Sequence, residues 1–184
     1  MVKTFLISDT HFGHHNIYKF KNSDGTKVRP WERSQEADQI MVDRWNSVVG
    51  KDDLVYHLGD VAIPRRGLQV LSQLNGRKKL IRGNHDIFKL KDYSQYFEEI
   101  LGTHKLGNYI LSHVPIHPKS IPDWCYANIH GHLHNNLVKR LERSNWLPWI
   151  KKEIKDYRYI NVCVERIDYT PVDFNDIEKY QLYE

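Results

Sequence analysis

Leu80-Ile81-Arg82-Gly83-Asn84-His85-Asp86 decides how the rest of the chain is read: a short apolar strand runs straight into four polar residues led by glycine. Gly83 lets the backbone turn tightly behind the strand, and Asn84 then offers a neutral carbonyl oxygen that can bind a cation without adding negative charge. His85 places a titratable proton beside it. Alone, these are ordinary turn residues. Four other places repeat the design of an apolar strand that stops at a ligand-type residue: Asp9/His11, Asp60, His113 and His132/His134.

Around these strand ends the chain reads as one compact domain of 184 residues, long enough to bury a core. Hydrophobic residues make up 40% and charged residues 27%, a globular balance that argues against disorder. No apolar run approaches the roughly 20 residues needed to cross a bilayer, and the start of the chain shows no secretory pattern. A cytoplasmic protein with no membrane partner is expected. Cys125 and Cys163 are the only cysteines and are expected to stay unbridged. The net charge of +4 fits an anionic substrate without specifying one. Eleven histidines are the anomaly: neither solubility nor folding calls for them, whereas a metal site uses several.

In chain order, Lys3 to Ser8 reads as a buried strand delivering Asp9 and His11. Residues 12–33 read as a long surface loop carrying His14, His15 and Asn16. Ser34 to Val49 has apolar residues at steps of three and four, an amphipathic helix with Ser34 as N-cap. A second strand over Leu54 to Leu58 closes at Gly59-Asp60. Gly67 to Leu74 reads as a short helix ended by Asn75-Gly76, Lys78 to Arg82 as the third strand, and Tyr93 to Leu101 as helical. Asn108 to Ser112 delivers His113, and Ala127 to Ile129 delivers His132 and His134. Tyr159 to Val164 is a last strand, and Asp173 to Tyr180 a closing helix. Alternating strands and helices point to an α/β layered fold with its site at the carboxyl ends of the strands.

Residues 136–158 differ from the rest and read as a basic, Trp-containing insertion or cap. Lys139, Arg140, Arg143, Lys151, Lys152, Lys155 and Arg158 interleave with Trp146, Trp149 and Ile150. The spacing of Trp146, Ile150 and Ile154 predicts an amphipathic helix docked on the domain, its cations in water. The other reading is a cap that guides a phosphate-bearing substrate, including a nucleic acid stacked on tryptophan.

Two divalent cations a few ångströms apart need a bridging carboxylate, several neutral nitrogens, and open positions for water and substrate. Asp9 and His11 alternate by two, His132 and His134 repeat that spacing, and Asp60 is the natural bridge. Asn84 and His113 add donors, and His85, too close behind Asn84 to share its ion, is free to act on substrate. In order, Asp9-x-His11, Gly59-Asp60, Gly83-Asn84-His85-Asp86, His113 and Gly131-His132-Leu133-His134 resemble the calcineurin-like metallophosphoesterase superfamily, and most of all its compact bacterial and bacteriophage members. That resemblance implies a layered αββα sandwich with a dimetal site at the strand ends. One metal would be held by Asp9, His11, Asp60 and His134, the other by Asp60, Asn84, His113 and His132. His85 would protonate the leaving oxygen or steady the phosphoryl group, and a hydroxide bridging the metals would attack phosphorus in line. The cofactor expected is a pair of divalent ions, manganese first, with iron, zinc, nickel or cobalt accepted by the same oxygen and imidazole set.

The chain departs from the protein phosphatase branch: Val61-Ala62-Ile63-Pro64-Arg65-Arg66-Gly67 follows Asp60, with Ile63 where that branch has a supporting carboxylate, so a phosphoprotein substrate is disfavoured. Arg65 and Arg66 either reach a substrate phosphate or sit solvated at a helix start. His14 and Asn16 are candidate substrate contacts because their loop follows the first ligands. His57, His104, His117 and His130 lie outside the pattern and are assigned structural or surface roles. The expected function is a metal-dependent phosphodiesterase acting on a phosphoester, including a nucleotide or nucleic acid. A nuclease, a phosphomonoesterase and a non-catalytic scaffold that binds a protein partner stand as alternatives.

Overall fold

The computed structural model describes residues 1–22, 24–143, 149 and 151–182. Phe5-Leu6-Ile7, an apolar run with no alternation, forms β1 (Thr4–Ile7), buried on both faces as a central parallel strand should be. After it come α1 (Ser34–Val48), β2 (Leu54–His57), β3 (Arg77–Ile81), α2 (Leu90–Tyr93), β4 (Glu99–Leu101) and β5 (Thr103–Leu106). The chain continues through β6 (Tyr109–Ser112), β7 (Ala127–His130), β8 (Lys139–Arg143), β9 (Lys151–Lys155), β10 (Tyr159–Asn161), β11 (Val172–Asp173) and α3 (Ile177–Leu182).

Two main sheets result. One has the order β11-β1-β2-β3-β4, with β1 to β4 parallel; the other runs β10-β7-β6-β5, parallel except at β5. A single buried cluster draws on both, from Leu6, Val55 and Leu80 to Leu111, Ile129 and Ile160, so the sheets share one core as the layered αββα sandwich requires. They are stitched just past β1, where Ser8 takes Val162 O at 3.0 Å and gives its own carbonyl to Val164 N at 3.0 Å. The carboxyl ends of β1, β2, β3, β6 and β7 therefore meet at one edge of the sandwich. Among the described residues no helix is long and apolar enough to cross a membrane, and Cys125 and Cys163 are free thiols.

Several expectations need correction. Residues 12–33 are not wholly a surface loop: Ile17–Lys19 make a 3-10 turn with Ile17 and Tyr18 buried, and the Arg29 side chain is fully enclosed. Ser34 is the first helical residue rather than the N-cap, which is Arg33; its hydroxyl is held by His15 Nδ1 at 2.7 Å. The helix before Asn75-Gly76 is a 3-10 helix over Arg65–Gln73. The helix over Tyr93 to Leu101 gives way to α2 and β4, because Glu99 to Leu101 completes the edge of the first sheet opposite Lys79 to Ile81, with Lys79 paired to Glu99 at 2.9 Å. A cross-strand ladder with an ion pair outweighs the local pattern.

The largest correction concerns residues 136–158. The described part is no docked helix but an antiparallel hairpin of β8 and β9, every β8 residue exposed. Ile154 sits on β9 opposite Arg140, while Trp146 and Ile150 lie outside the described residues. An apolar spacing of four makes a helix only where a surface buries that stripe; this ribbon stands out in water, and strand pairing satisfies its backbone instead.

Candidate metal centre

Asp9, His11, Asp60, His132 and His134 all adopt left-handed backbone conformations, with φ of 60°, 49°, 55°, 69° and 49°. A non-glycine residue in this region costs free energy and persists only where its surroundings impose it. Here they do. Asp9 N bonds Gly59 O at 3.0 Å, His11 N bonds Asp60 O at 3.0 Å and Phe12 N bonds Val61 O at 2.8 Å, so the loop after β1 is zipped to the loop after β2. Gly83 is required for space rather than for its φ: a Cβ there would run into the Asp60 carboxylate and backbone. Gly131 is pressed in the same way against Ser8 and Asp9.

Each aspartate has one oxygen tied down and one presented. Asp9 Oδ2 accepts from Ser8 Oγ, from His132 N at 2.8 Å and from Cys163 Sγ at 3.2 Å, which leaves Oδ1 buried with no hydrogen-bond partner among the described residues. Asp60 Oδ1 accepts from His85 N at 2.8 Å, while Oδ2 faces His11 Nε2 at 3.8 Å and His113 Nε2 at 3.4 Å. The orphaned Asp9 Oδ1 lies 3.8 Å from His11 Nε2 and 3.9 Å from His134 Nε2. Two groups of ligand-type atoms follow, Asp9/His11/His134 and Asp60/His113/His132, each with its atoms within 4.8 Å of one another. Ligands bound at about 2.1 Å around one ion stand roughly 3 to 3.5 Å apart, so a small inward movement closes either group on a divalent cation. A buried carboxylate oxygen without a partner is costly, and a cation removes that cost. The residues present thus fit a dimetal site, with Asp60 between the groups and Asn84 Oδ1 at 2.9 Å from His113 Nε2.

The imidazoles are aimed from behind. His113 Nδ1 donates to Leu58 O at 2.7 Å and His134 Nδ1 to Glu165 at 3.1 Å, so each turns Nε2 toward the aspartates. Glu165 is held in turn by Arg29, at 2.8 Å and with both side chains essentially fully buried; Arg29 also donates to the carbonyls of Asp9 and Thr10. Burial raises the Glu165 carboxyl, but Arg29 and His134 outweigh it and hold its pKa at about 2. At Asp60, burial likewise works upward and His113 wins, bringing it to about 2. Burial pulls His113 down, yet Asp60 and Asp9 leave it raised; His134 is raised in the same way by Glu165. Asp86, in the opening stretch, accepts from the N–H groups of Asp60, Val61 and Gly83 and so fixes the loop after β2 against the one after β3.

Glu165 and Arg29 escaped the sequence reading, and no signal marks them: they meet across 136 positions and belong to no motif. Of the other candidates, His85 is exposed beside His11, ring centroids 5.6 Å apart. His14 lines a cavity of about 740 Å³ together with His11, His85, His134, Phe20 and Ile63. Asn16 is engaged with Lys19 Nζ at 3.1 Å and does not line it. Arg65 and Arg66 open onto a separate groove, Arg65 paired with Asp92 and Arg66 with His15. His57 is fully buried on Thr10 and Gly59, in a structural role.

No protein-family model matches the chain. The solved structure of AQ665, a protein of unknown function from Aquifex aeolicus, superposes with a TM-score of 0.68 at 29% identity, covering 97% of this chain and 99% of that one. Gene 66 protein of Mycobacterium phage L5 is 36% identical over 91 residues, 47% of this chain and 41% of the phage protein. The uncharacterized protein MJ1445 of Methanocaldococcus jannaschii is 34% identical over 189 aligned positions, covering 97% of this chain and 91% of the archaeal one. At that identity and coverage the chain belongs to the family of MJ1445.

Proposed function

We propose that the protein is a metal-dependent phosphoester hydrolase that prefers phosphodiesters. The observation that carries this reading is the pair of aspartates, each with one oxygen anchored and the other turned toward two imidazoles. Asp9, His11 and His134 would hold one ion and Asp60, His113 and His132 the other, with Asn84 beside His113. Bound there, two divalent ions supply positive charge for a phosphate and acidify water from a pKa of about 15.7 towards about 7.

The chain's own groups do the rest. Asp9 and Asp60 carry two negative charges, and the buried Glu165 is cancelled by Arg29, so a dimetal centre keeps a net positive charge that attracts an anionic phosphate. His85 stands exposed at the cavity with its backbone fixed on Asp60, placed to hold a proton for the departing oxygen. The cavity runs past His14 to Ile17, Phe20 and Val28, giving room for a second substituent on phosphorus, which a diester has and a monoester lacks. The test is turnover of an aryl phosphodiester against the matching monoester, with manganese added. Faster diester hydrolysis is expected; no turnover of either, with no response to Asp60→Asn, removes the reading.

A further inference from the structure

The β8–β9 hairpin departs from what strand pairing favours. Its register sets Lys139 opposite Lys155 and Arg143 opposite Lys151, two like-charge pairs, with Leu141 opposite Glu153 between them. Residues two apart on a strand share a face, and directly paired residues share it too. One face therefore gathers four cations, Lys139, Arg143, Lys151 and Lys155, against the single carboxylate of Glu153. The other carries Arg140, Glu142, Lys152 and Ile154, its charges alternating, with Arg140 and Glu142 at 3.3 Å.

Like charges directly opposite destabilise a ribbon, and one as exposed as this has no core to offset them. The Lys139–Glu153 pair at 3.4 Å is more than half exposed on both sides, so it relieves little. Arg143 and Lys151 have no carboxylate partner among the described residues. The two cation pairs lie about 13 Å apart along the strands, four residues at roughly 3.3 Å each. Among the described residues of the hairpin, Leu141 and Trp149 are large exposed apolar side chains, at 62% and 76%. The hairpin also springs from the rim of the cavity: Asn135 and Asn136 line it, and Lys139 follows within three residues.

We propose that the face bearing Lys139, Leu141, Arg143, Lys151 and Lys155 binds the backbone of a single-stranded nucleic acid. The inference rests on the phosphodiesterase reading, since it supplies a polymeric substrate for that same centre. A strand offers evenly repeated negative charge to the opposed cations and flat bases to exposed Leu141 and Trp149. An acidic polypeptide would satisfy the charges but not the bases, and it does not bring a phosphodiester to the cavity.

The test uses the full chain with manganese and a fluorescein-labelled single-stranded phosphorothioate oligothymidylate, which keeps the charge and resists cleavage, read by fluorescence anisotropy across a salt series. Arg143→Ala/Lys151→Ala is expected to weaken binding about tenfold near 0.1 M salt, and to flatten the slope of log affinity against log salt by about 1.4, two contacts at roughly 0.7 each. Arg140→Ala/Lys152→Ala, on the opposite face, is expected to do much less. Equal loss from both faces, no loss from either, or equally tight binding of a polyglutamate peptide overturns the proposal. Because binding is read without turnover, an inactive centre leaves this result interpretable, and failed strand binding leaves aryl diester hydrolysis untouched as its own test.

Discussion

The strand-end loops and the β8–β9 hairpin place polar residues in opposite ways. In the loops, five non-glycine residues accept left-handed backbone, and almost every polar atom around Asp9 and Asp60 is fixed by another chain segment. In the hairpin, geometry is regular, every side chain but the half-buried Ile154 and Lys155 is exposed, and the strands rely on their own ladder. Strain in the first region is imposed by a packed core and yields atoms held at fixed positions. Unfavourable charge in the second is tolerated because solvent screens it, and it yields a surface able to meet a long, flexible anion. One region suits chemistry at a point, the other capture along a line.

The sharpest way to break this contrast is at the presented oxygens. Asp60→Asn keeps the shape and can still accept from His85 N, but it removes the charge between the two ligand groups. Aryl diester turnover is expected to fall by about 10^4, roughly 5.5 kcal/mol of transition-state stabilisation, with the fold intact by circular dichroism. Activity within tenfold of wild type would mean that Asp60 bridges nothing.

Next is the buried support. Glu165→Gln leaves the Arg29 guanidinium enclosed without its counter-charge and His134 Nδ1 without a carboxylate. An uncompensated buried charge costs about 3 to 5 kcal/mol, and loss of a carboxylate behind a ligating imidazole costs 10- to 100-fold in metal affinity. Denaturant melts and manganese titration should both move. If only the melt moves, Glu165 supports Arg29 and not the site.

These two residues also mark where sequence stops being informative. Asp9, His11, Asp60, Asn84, His113, His132 and His134 could be picked out because few residue types ligate metals and each stood at the end of an apolar run; the structure brings all seven together. Five of the strands follow from the same runs. Glu165 and Arg29 could not be found, since either is unremarkable until the fold sets them 2.8 Å apart in a dry interior. The hairpin failed for another reason: Trp146, Ile150 and Ile154 have helical spacing, but spacing decides structure only where one face is buried. The short edge strands β4 and β5 carry no strand pattern of their own, because their stability comes from the strands they pair with.

Acid should also separate the regions. His57 is fully buried, its Nδ1 accepting from Gly59 N at 3.2 Å, and burial lowers its pKa to about 3. The unfolded chain takes up this proton near pH 6.5 while the folded one does so only near 3. Stability from this group is therefore complete above about 6.5 and declines as pH falls toward 3, by at most about 5 kcal/mol. Urea melts of wild type and His57→Gln across that range should converge at low pH. Parallel curves would assign acid lability elsewhere.

The smallest expected effect has the opposite sign, and for that reason it discriminates best. Most substitutions destabilise, and one at an exposed position is commonly neutral. Arg143→Glu should instead stabilise, because it turns the Arg143–Lys151 pair from like-charged to opposite-charged at a directly paired position. The gain expected is about 0.2 to 1 kcal/mol, visible in low-salt thermal melts and fading as salt is added. The same substitution should weaken strand binding, so stability and binding move apart under one change. Were Arg143→Glu to lower stability at every salt concentration, Arg143 would hold the ribbon through contacts of its stem, and the opposed cations would need no ligand to account for them.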